Sequence, residues 1–184
     1  MKHIYISIFF ILNLFVTNNV IADQYVIKEL QRGGKLVFIR HALAPGNGDP
    51  DNFNINDCST QRNLNQEGKA QSEKIGNFFK INKIKIDKVL SSEWCRCKDT
   101  AKIAFGDFET FNALNSFYEE RFADNKTSQM KDLTNFISDW KNDSNLIIIT
   151  HYVVILEILN RGTISGEMII SDKKLNILGS FQIN

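Results

Sequence analysis

The sequence is short of the residues that usually subdivide a chain. It has two prolines and ten glycines in 184 residues, and both prolines, Pro45 and Pro50, fall in one polar stretch. No repeat, low-complexity tract or Pro/Gly/Ser-rich linker interrupts it, which points to one domain with a sizeable core. An excess of one charge is also missing. Lysine and arginine number 22 against 21 aspartates and glutamates, and Lys2 is the one such residue within 1–22, so residues 23–184 balance at 21 of each. That neutrality excludes nucleic acid or an anionic membrane as a partner held by bulk charge. Histidine is scarcer still: His3, His41 and His151 are the whole set.

The charge-free stretch from His3 to Ile21 is confined to the N-terminus and includes Ile4 to Leu12 and Leu14-Phe15-Val16. A basic Lys2, an apolar centre and a small Ala22 fit a secretory signal, so residues 1–22 are expected to be removed and the mature domain to span 23–184. An uncleaved anchor is the competing reading. Polar Thr17, Asn18 and Asn19 oppose it by shortening the apolar core below the roughly 20 residues of a spanning helix, so no stable membrane span is expected after cleavage. A periplasmic or secreted location follows. In such a compartment one disulfide is expected, Cys58 with Cys95 or with Cys97, because neighbours one residue apart would close a strained ring. A zinc site of cysteines and a histidine competes, but Cys95-x-Cys97 lacks the usual two-residue spacing.

The remaining pattern alternates. Asp23 can cap a helix to Gln31, ended by Gly33-Gly34, and Lys35 to Arg40 reads as a strand. Ala42 to Asn63 is a long polar loop carrying Pro45, Gly46, Gly48 and Pro50. Asn65 caps a helix to about Asn82, with Ile75, Phe78 and Phe79 inward. Ile86 to Leu90 is a strand, Trp94 to Phe105 a helix, and Phe108 to Phe111 a short strand. From Thr127, Met130, Leu133, Phe136, Ile137 and Trp140 share one helical face. Leu146 to Thr150 is a strand, Tyr152 to Asn160 a buried helix, and Glu167 to Ser171 with Asn176 to Gln182 an antiparallel pair. This order implies a three-layer α/β/α sandwich around a mostly parallel sheet.

Parallel strands bring their C-terminal ends to one edge, where ligands bind in such sheets. Arg40 and His41, then Ser91, Ser92 and Arg96, then Thr150 and His151 all follow strands. Two histidines and two arginines on a neutral domain make a local cationic pocket, and the planar guanidinium fork matches phosphate oxygens.

Four stretches carry a resemblance to a known family. Arg40-His41, the segment Ser91-Ser92-Glu93-Trp94-Cys95-Arg96-Cys97-Lys98-Asp99-Thr100-Ala101, and Thr150-His151 resemble the signatures of the histidine phosphatase, or phosphoglycerate mutase-like, superfamily. Arg62-Asn63-Leu64-Asn65-Gln66-Glu67-Gly68-Lys69-Ala70-Gln71 resembles its Arg-x-Leu-Thr-x-x-Gly-x-x-Gln stretch. The resemblance implies the fold of that family and His41 as a nucleophile that is phosphorylated and then hydrolysed. Arg40, Arg96 and His151 would hold the phosphoryl group, with Arg62 and Asn47 as further phosphate contacts. Arg62 alternatively pairs with a carboxylate, and Thr100 is expected to pack within its helix. No cofactor or metal is implied, since positive side chains offset the charge. His41 must then be unprotonated and His151 is best protonated. Glu119 is the candidate general acid and Glu120 the second, with a solvated acidic turn as their alternative.

Two departures bear on the substrate. Ala42 stands where the family usually has glycine after the first histidine. Tyr152 replaces the glycine after the second, so an aromatic ring narrows or reshapes the pocket or stacks on a ligand. The short chain matches the minimal phosphatase branch. The substrate expected outside the cytoplasm is a small phosphomonoester, with an envelope sugar phosphate, a nucleotide or scavenged organic phosphate as candidates. A non-catalytic domain binding a phosphorylated envelope component, and a phosphohistidine phosphatase-like enzyme, are the alternatives.

Overall fold

A computed structural model describes residues 23–182. The expected signal at 1–22 therefore lies outside the described residues. Helix α1 covers residues 23–32 and β1 is Leu36–Arg40. There follow α2 (Gln66–Ile81), β2 (Ile86–Ser91), α3 (Cys95–Phe105) and β3 (Glu109–Thr110), and then α4 (Glu120–Ala123) and α5 (Lys126–Asp139). Strand β4 (Asn145–Thr150), α6 (Tyr152–Leu159), β5 (Glu167–Ser171) and β6 (Ile177–Gln182) complete the chain. The six strands form one sheet in the order β3-β2-β4-β1-β5-β6. The four on one side are parallel, with Leu36 opposite Leu146 and Arg40 opposite Thr150, while β5 and β6 are antiparallel additions.

The two central strands are apolar without alternation because both their faces are covered. Val37, Ile39, Ile147 and Ile149 pack with Leu30 of α1, Ile75 and Phe79 of α2, and Ala101 and Ala104 of α3. Leu36, Phe38, Leu146 and Ile148 point the other way, onto Leu133 and Ile137 of α5 and Val154, Ile155 and Leu159 of α6. The three layers expected from the sequence are thus present. Among the described residues no helix is long and apolar enough to cross a membrane.

Local chemistry sets the helix ends. The Asn65 side chain accepts from Gly68 N at 2.8 Å, the cap its position suggested. Trp94 caps α3 without a side-chain bond, and the Cys95 N–H instead donates to Gln61 Oε1 at 2.9 Å, reaching across from the long loop. Gly68 permits a close approach: a Cβ there would lie 2.1 Å from Leu43 O. Gln71 then accepts from Leu43 N and donates to Ser165 O, so the start of α2 clamps the chain just beyond His41.

Three short elements were not expected: 3-10 turns at Cys58–Thr60 and Asn112–Leu114, and α4. Each is too brief to show a hydrophobic period. The strand expected at Phe108 to Phe111 shortens to two residues.

Candidate active site

The ends of β1, β2 and β4 open into one cavity of about 130 Å³ lined by Arg40, His41, Arg96, His151 and Tyr152, with Asn47, Gly48, Arg62, Ser116, Tyr118 and Glu119 around them. Three roomier clefts, of about 440, 760 and 350 Å³, lie elsewhere on the surface, and none has a histidine or arginine in its walls. The small cavity is therefore the one with chemistry. It is well below the roughly 300–1,000 Å³ of drug-sized ligand pockets, a size suited to a phosphoryl head whose remaining group points outward.

His41 is buried, and its Nδ1 lies 2.8 Å from Ala42 O. A carbonyl can only accept, so Nδ1 carries the proton and the lone pair of the neutral ring is on Nε2. The backbone N–H of His41 donates to Thr150 O at 2.9 Å, and Ala42 N donates to Thr100 Oγ1 at 3.0 Å. Thr100 also bonds Arg96 O within its own helix, so it links α3 to the loop rather than only packing.

His151 follows β4, with its ring centroid 5.5 Å from that of His41. Its Nε2 lies 2.8 Å from Ser92 Oγ and 3.5 Å from Cys97 Sγ, while Nδ1 is buried without a partner. Burial, and after it the positive charge of Arg96, holds both imidazoles well below the ordinary histidine range. For His41 the shift favours the unprotonated ring that a nucleophile needs. The same burial and the charge of Arg96 oppose the protonated His151 expected beside it, so its charged form needs a partner brought into the pocket.

The arginines are positioned by different means. Arg40 donates from a terminal nitrogen to Thr163 O at 3.0 Å and lies over the Tyr152 ring, 5.7 Å from its centroid. Tyr152 thus both lines the pocket and stacks on Arg40. Arg96 is buried and paired with Asp49 at 2.8 Å, and Asp49 also accepts from Trp94 Nε1 and Arg62 N. Burial pushes the Asp49 carboxyl up, but its bond and proximity to Arg96 prevail and hold it below the usual range. Nε of Arg40 and Nε of Arg96 are buried and unpaired, like His151 Nδ1. Two unsatisfied guanidinium donors and one unpartnered imidazole nitrogen on residues lining one cavity are what the oxygens of a phosphoryl group would satisfy.

Arg62 reaches the cavity but directs its side chain to Ala44 O and Gly48 O, so among carboxylates only its backbone N–H meets one, at Asp49. Asn47 donates to Tyr118 Oη at 3.2 Å on the rim. Glu119 lines the cavity, accepts from Asp49 N at 2.8 Å and pairs with Arg121. Glu120 is exposed at the start of α4 and does not line the cavity. Thr150 is a staple: its hydroxyl donates to Leu114 O at 2.6 Å.

The disulfide is Cys58–Cys95, one of the two expected pairings, with Cα atoms 5.7 Å apart. It overturns the zinc alternative by consuming two of the sulfurs. Cys97 remains free and buried, with its thiol pushed up to about 12 by burial. The sequence reading missed Asp49, Asn115 and Gln61. The one available signal was that Asp49 is an acid between a glycine and a proline, which reads as a turn.

Residues 36–147 match the model of the histidine phosphatase superfamily (branch 1), more than half of the 184-residue chain. The protein histidine phosphatase SixA complexed with tungstate superposes with a TM-score of 0.52 at 16% identity, over 78% of this chain and 92% of that one. The putative phosphohistidine phosphatase SixA from Agrobacterium tumefaciens gives 0.58 at 16% identity over 81% and 98%, and TTHB049 from Thermus thermophilus gives 0.53 at 15% over 79% and 98%. At such identities these structures show a shared fold. No curated protein matches. On the family match, the chain belongs to the histidine phosphatase superfamily, branch 1, whose enzymes are of phosphatase and mutase type.

Proposed function

We propose, with that membership as the premise, that this protein is an exported phosphatase that hydrolyses a small phosphomonoester through a phosphohistidine on His41. The observation that carries the reading is the His41 Nδ1 bond to Ala42 O, which leaves the Nε2 lone pair in a pocket shared with Arg40, Arg96 and His151. In the first step Nε2 attacks phosphorus, the P–O bond to the leaving group breaks, and Glu119 donates a proton to the departing oxygen. Water then attacks the phosphohistidine and gives its proton back to Glu119. The P–N bond breaks to release inorganic phosphate and neutral His41. Arg40, Arg96 and His151 hold the phosphoryl oxygens through both steps, with Arg62 and Asn47 at the rim, and these residues supply the charge compensation without a metal.

The Cys58–Cys95 bond supports export, since disulfides persist in oxidising compartments. The small cavity supports a leaving group that remains outside, such as a sugar or nucleoside. The test is turnover of an aryl phosphate by the mature protein with chelator present, beside His41→Ala. Wild type turns over and forms an acid-labile phosphohistidine, and the variant loses about four orders of magnitude or more. Activity that is lost with chelator and restored by a divalent ion, or that survives in His41→Ala, refutes the mechanism.

A second reading, a phosphohistidine phosphatase, is favoured by one observation: Glu119 is already engaged by Asp49 N and Arg121. A phosphorylated imidazole leaves readily without a proton donor, whereas an alkoxide does not. Glu119→Gln separates the two. An alkyl phosphate slows about 10²-fold or more if the ester is the substrate and Glu119 its acid. Equal rates for variant and wild type on both an alkyl phosphate and a phosphoramidate remove Glu119 from the mechanism.

A further inference from the structure

The ring of the second histidine is held by side chains, not by backbone, and the bonds around it run in one direction from a fixed carboxylate. Asn115 Nδ2 lies 2.6 Å from a Glu93 carboxylate oxygen, which can only accept. That fixes the amide, so Asn115 Oδ1 is the atom that accepts from Glu93 N at 2.9 Å and from Ser92 Oγ at 3.1 Å. Ser92 has one hydroxyl proton. With that proton on Asn115, its oxygen faces His151 Nε2 at 2.8 Å as an acceptor. Cys97 Sγ lies 3.7 Å from Thr150 O, which offers its S–H an acceptor, and 3.5 Å from His151 Nε2, a longer contact than that of Ser92 Oγ.

We propose that Glu93, Asn115 and Ser92 form a positioning relay that keeps the proton of His151 on Nε2 and leaves the Nδ1 lone pair for the phosphoryl group. The buried, unpartnered state of Nδ1 agrees with this orientation. Through this relay His151 enters as a neutral acceptor. A phosphoryl group carrying a proton places it on Nδ1, and the imidazolium formed then donates a charge-assisted bond back to the oxygen. The charged and titratable groups facing His151 are Arg96, His41, Arg62, Arg40 and Cys97, none of which bonds Nδ1. The tautomer therefore rests on Ser92 and on what orients it. This role deepens the phosphoryl-transfer reading and rests on it for its catalytic meaning, but the tautomer itself does not.

The test reads both. In ¹⁵N spectra of histidine-labelled mature protein, His151 shows a pyrrole-type Nε2 and a pyridine-type Nδ1, and the reverse pattern overturns the relay. Asn115→Ala frees the Ser92 proton to turn toward Nε2, so the two nitrogens of His151 become mixed in type. On an aryl phosphate its kcat falls about 10- to 100-fold, the range for loss of an outer partner of a functional imidazole, while KM moves less than about threefold. Glu93→Gln keeps an acceptor for Asn115 and retains the wild-type pattern. Ser92→Ala repeats the first result if it folds; Asn115 is only half-buried and carries the experiment if it does not. An unchanged nitrogen pattern in Asn115→Ala refutes the relay. The wild-type pattern without turnover in any form refutes the phosphatase reading and leaves the relay standing.

Discussion

His41 and His151 immediately follow β1 and β4, adjacent strands that are buried along nearly their whole length and paired residue by residue. Facing them, Asn47, Asp49 and Arg62 sit on residues 42–63, where regular structure is limited to the turn at Cys58–Thr60. The first region is placed by the sheet: any sequence that pairs β1 with β4 in this register brings both imidazoles to one edge. The second is placed pairwise, by Asp49 on Arg96 and Trp94, by Phe53 stacked on Trp94 at 5.0 Å, and by the bond from Cys58 to Cys95. Position by many equivalent backbone bonds tolerates substitution. Position by a few side chains does not.

The largest expected effect follows from cutting one of those pairwise contacts. Asp49→Ala leaves the Arg96 guanidinium buried without its carboxylate and removes the acceptors of Trp94 Nε1 and Arg62 N. Breaking one side of a buried ion pair costs about 3–5 kcal/mol, which denaturant unfolding measures. Arg96 then loses its fixed orientation, so turnover falls with stability. A loss below about 1 kcal/mol, the range of a surface pair, would show that the sheet edge and α3 hold Arg96 without the loop.

The same division explains what the sequence disclosed. Leu36 to Arg40 and Leu146 to Thr150 announce buried strands because covering both faces leaves no polar position, and their histidines follow by adjacency. Asn65, three residues before Gly68, announces the start of α2 for an equally local reason. Asp49 could not be found that way: its partners stand 45 and 47 residues along the chain, and between Gly48 and Pro50 it looks like any turn acid. Asn115 pairs with Glu93 over 22 residues, and the choice of Cys95 over Cys97 depends on which thiol α3 turns toward the loop that carries Cys58. The charge of His151 was not legible for a different reason. A protonation state is a balance of burial against neighbouring charge, and only packing reveals how completely the ring is enclosed beside Arg96.

A smaller effect is expected from the covalent tie of the loop. The Cys58–Cys95 bond spans 37 residues, for which the chain-entropy picture gives about 3–4 kcal/mol. Cys58→Ser should lower stability on that scale while the strand ends remain paired. The distinguishing readout is kinetic: with Asp49 and Phe53 still in place, KM for an aryl phosphate rises more than kcat falls. An equal collapse of both would mean that the loop carries the chemistry and not only access to it.

The smallest effect is graded and belongs to the strand ends alone. Both imidazoles have pKa values well below 6.5 in the folded protein, chiefly through burial, while unfolded histidines titrate near 6.5. Below pH 6.5 the unfolded state therefore binds more protons, and the folded state loses stability as pH falls until the native histidines are themselves protonated. Each contributes at most about 1.4 kcal/mol per pH unit, and less near pH 6.5 where the unfolded histidines are half protonated, so the pair gives about 2 kcal/mol over the first unit below that point. Thermal unfolding between neutral and mildly acidic pH should show this slope in wild type and in Cys58→Ser alike, and lose it in the His41→Ala/His151→Ala double variant. Saturating inorganic phosphate should flatten it, because an anion in the pocket stabilises a protonated ring. A slope that survives removal of both histidines would place the titrating groups outside the strand ends and break the division between edge and loop.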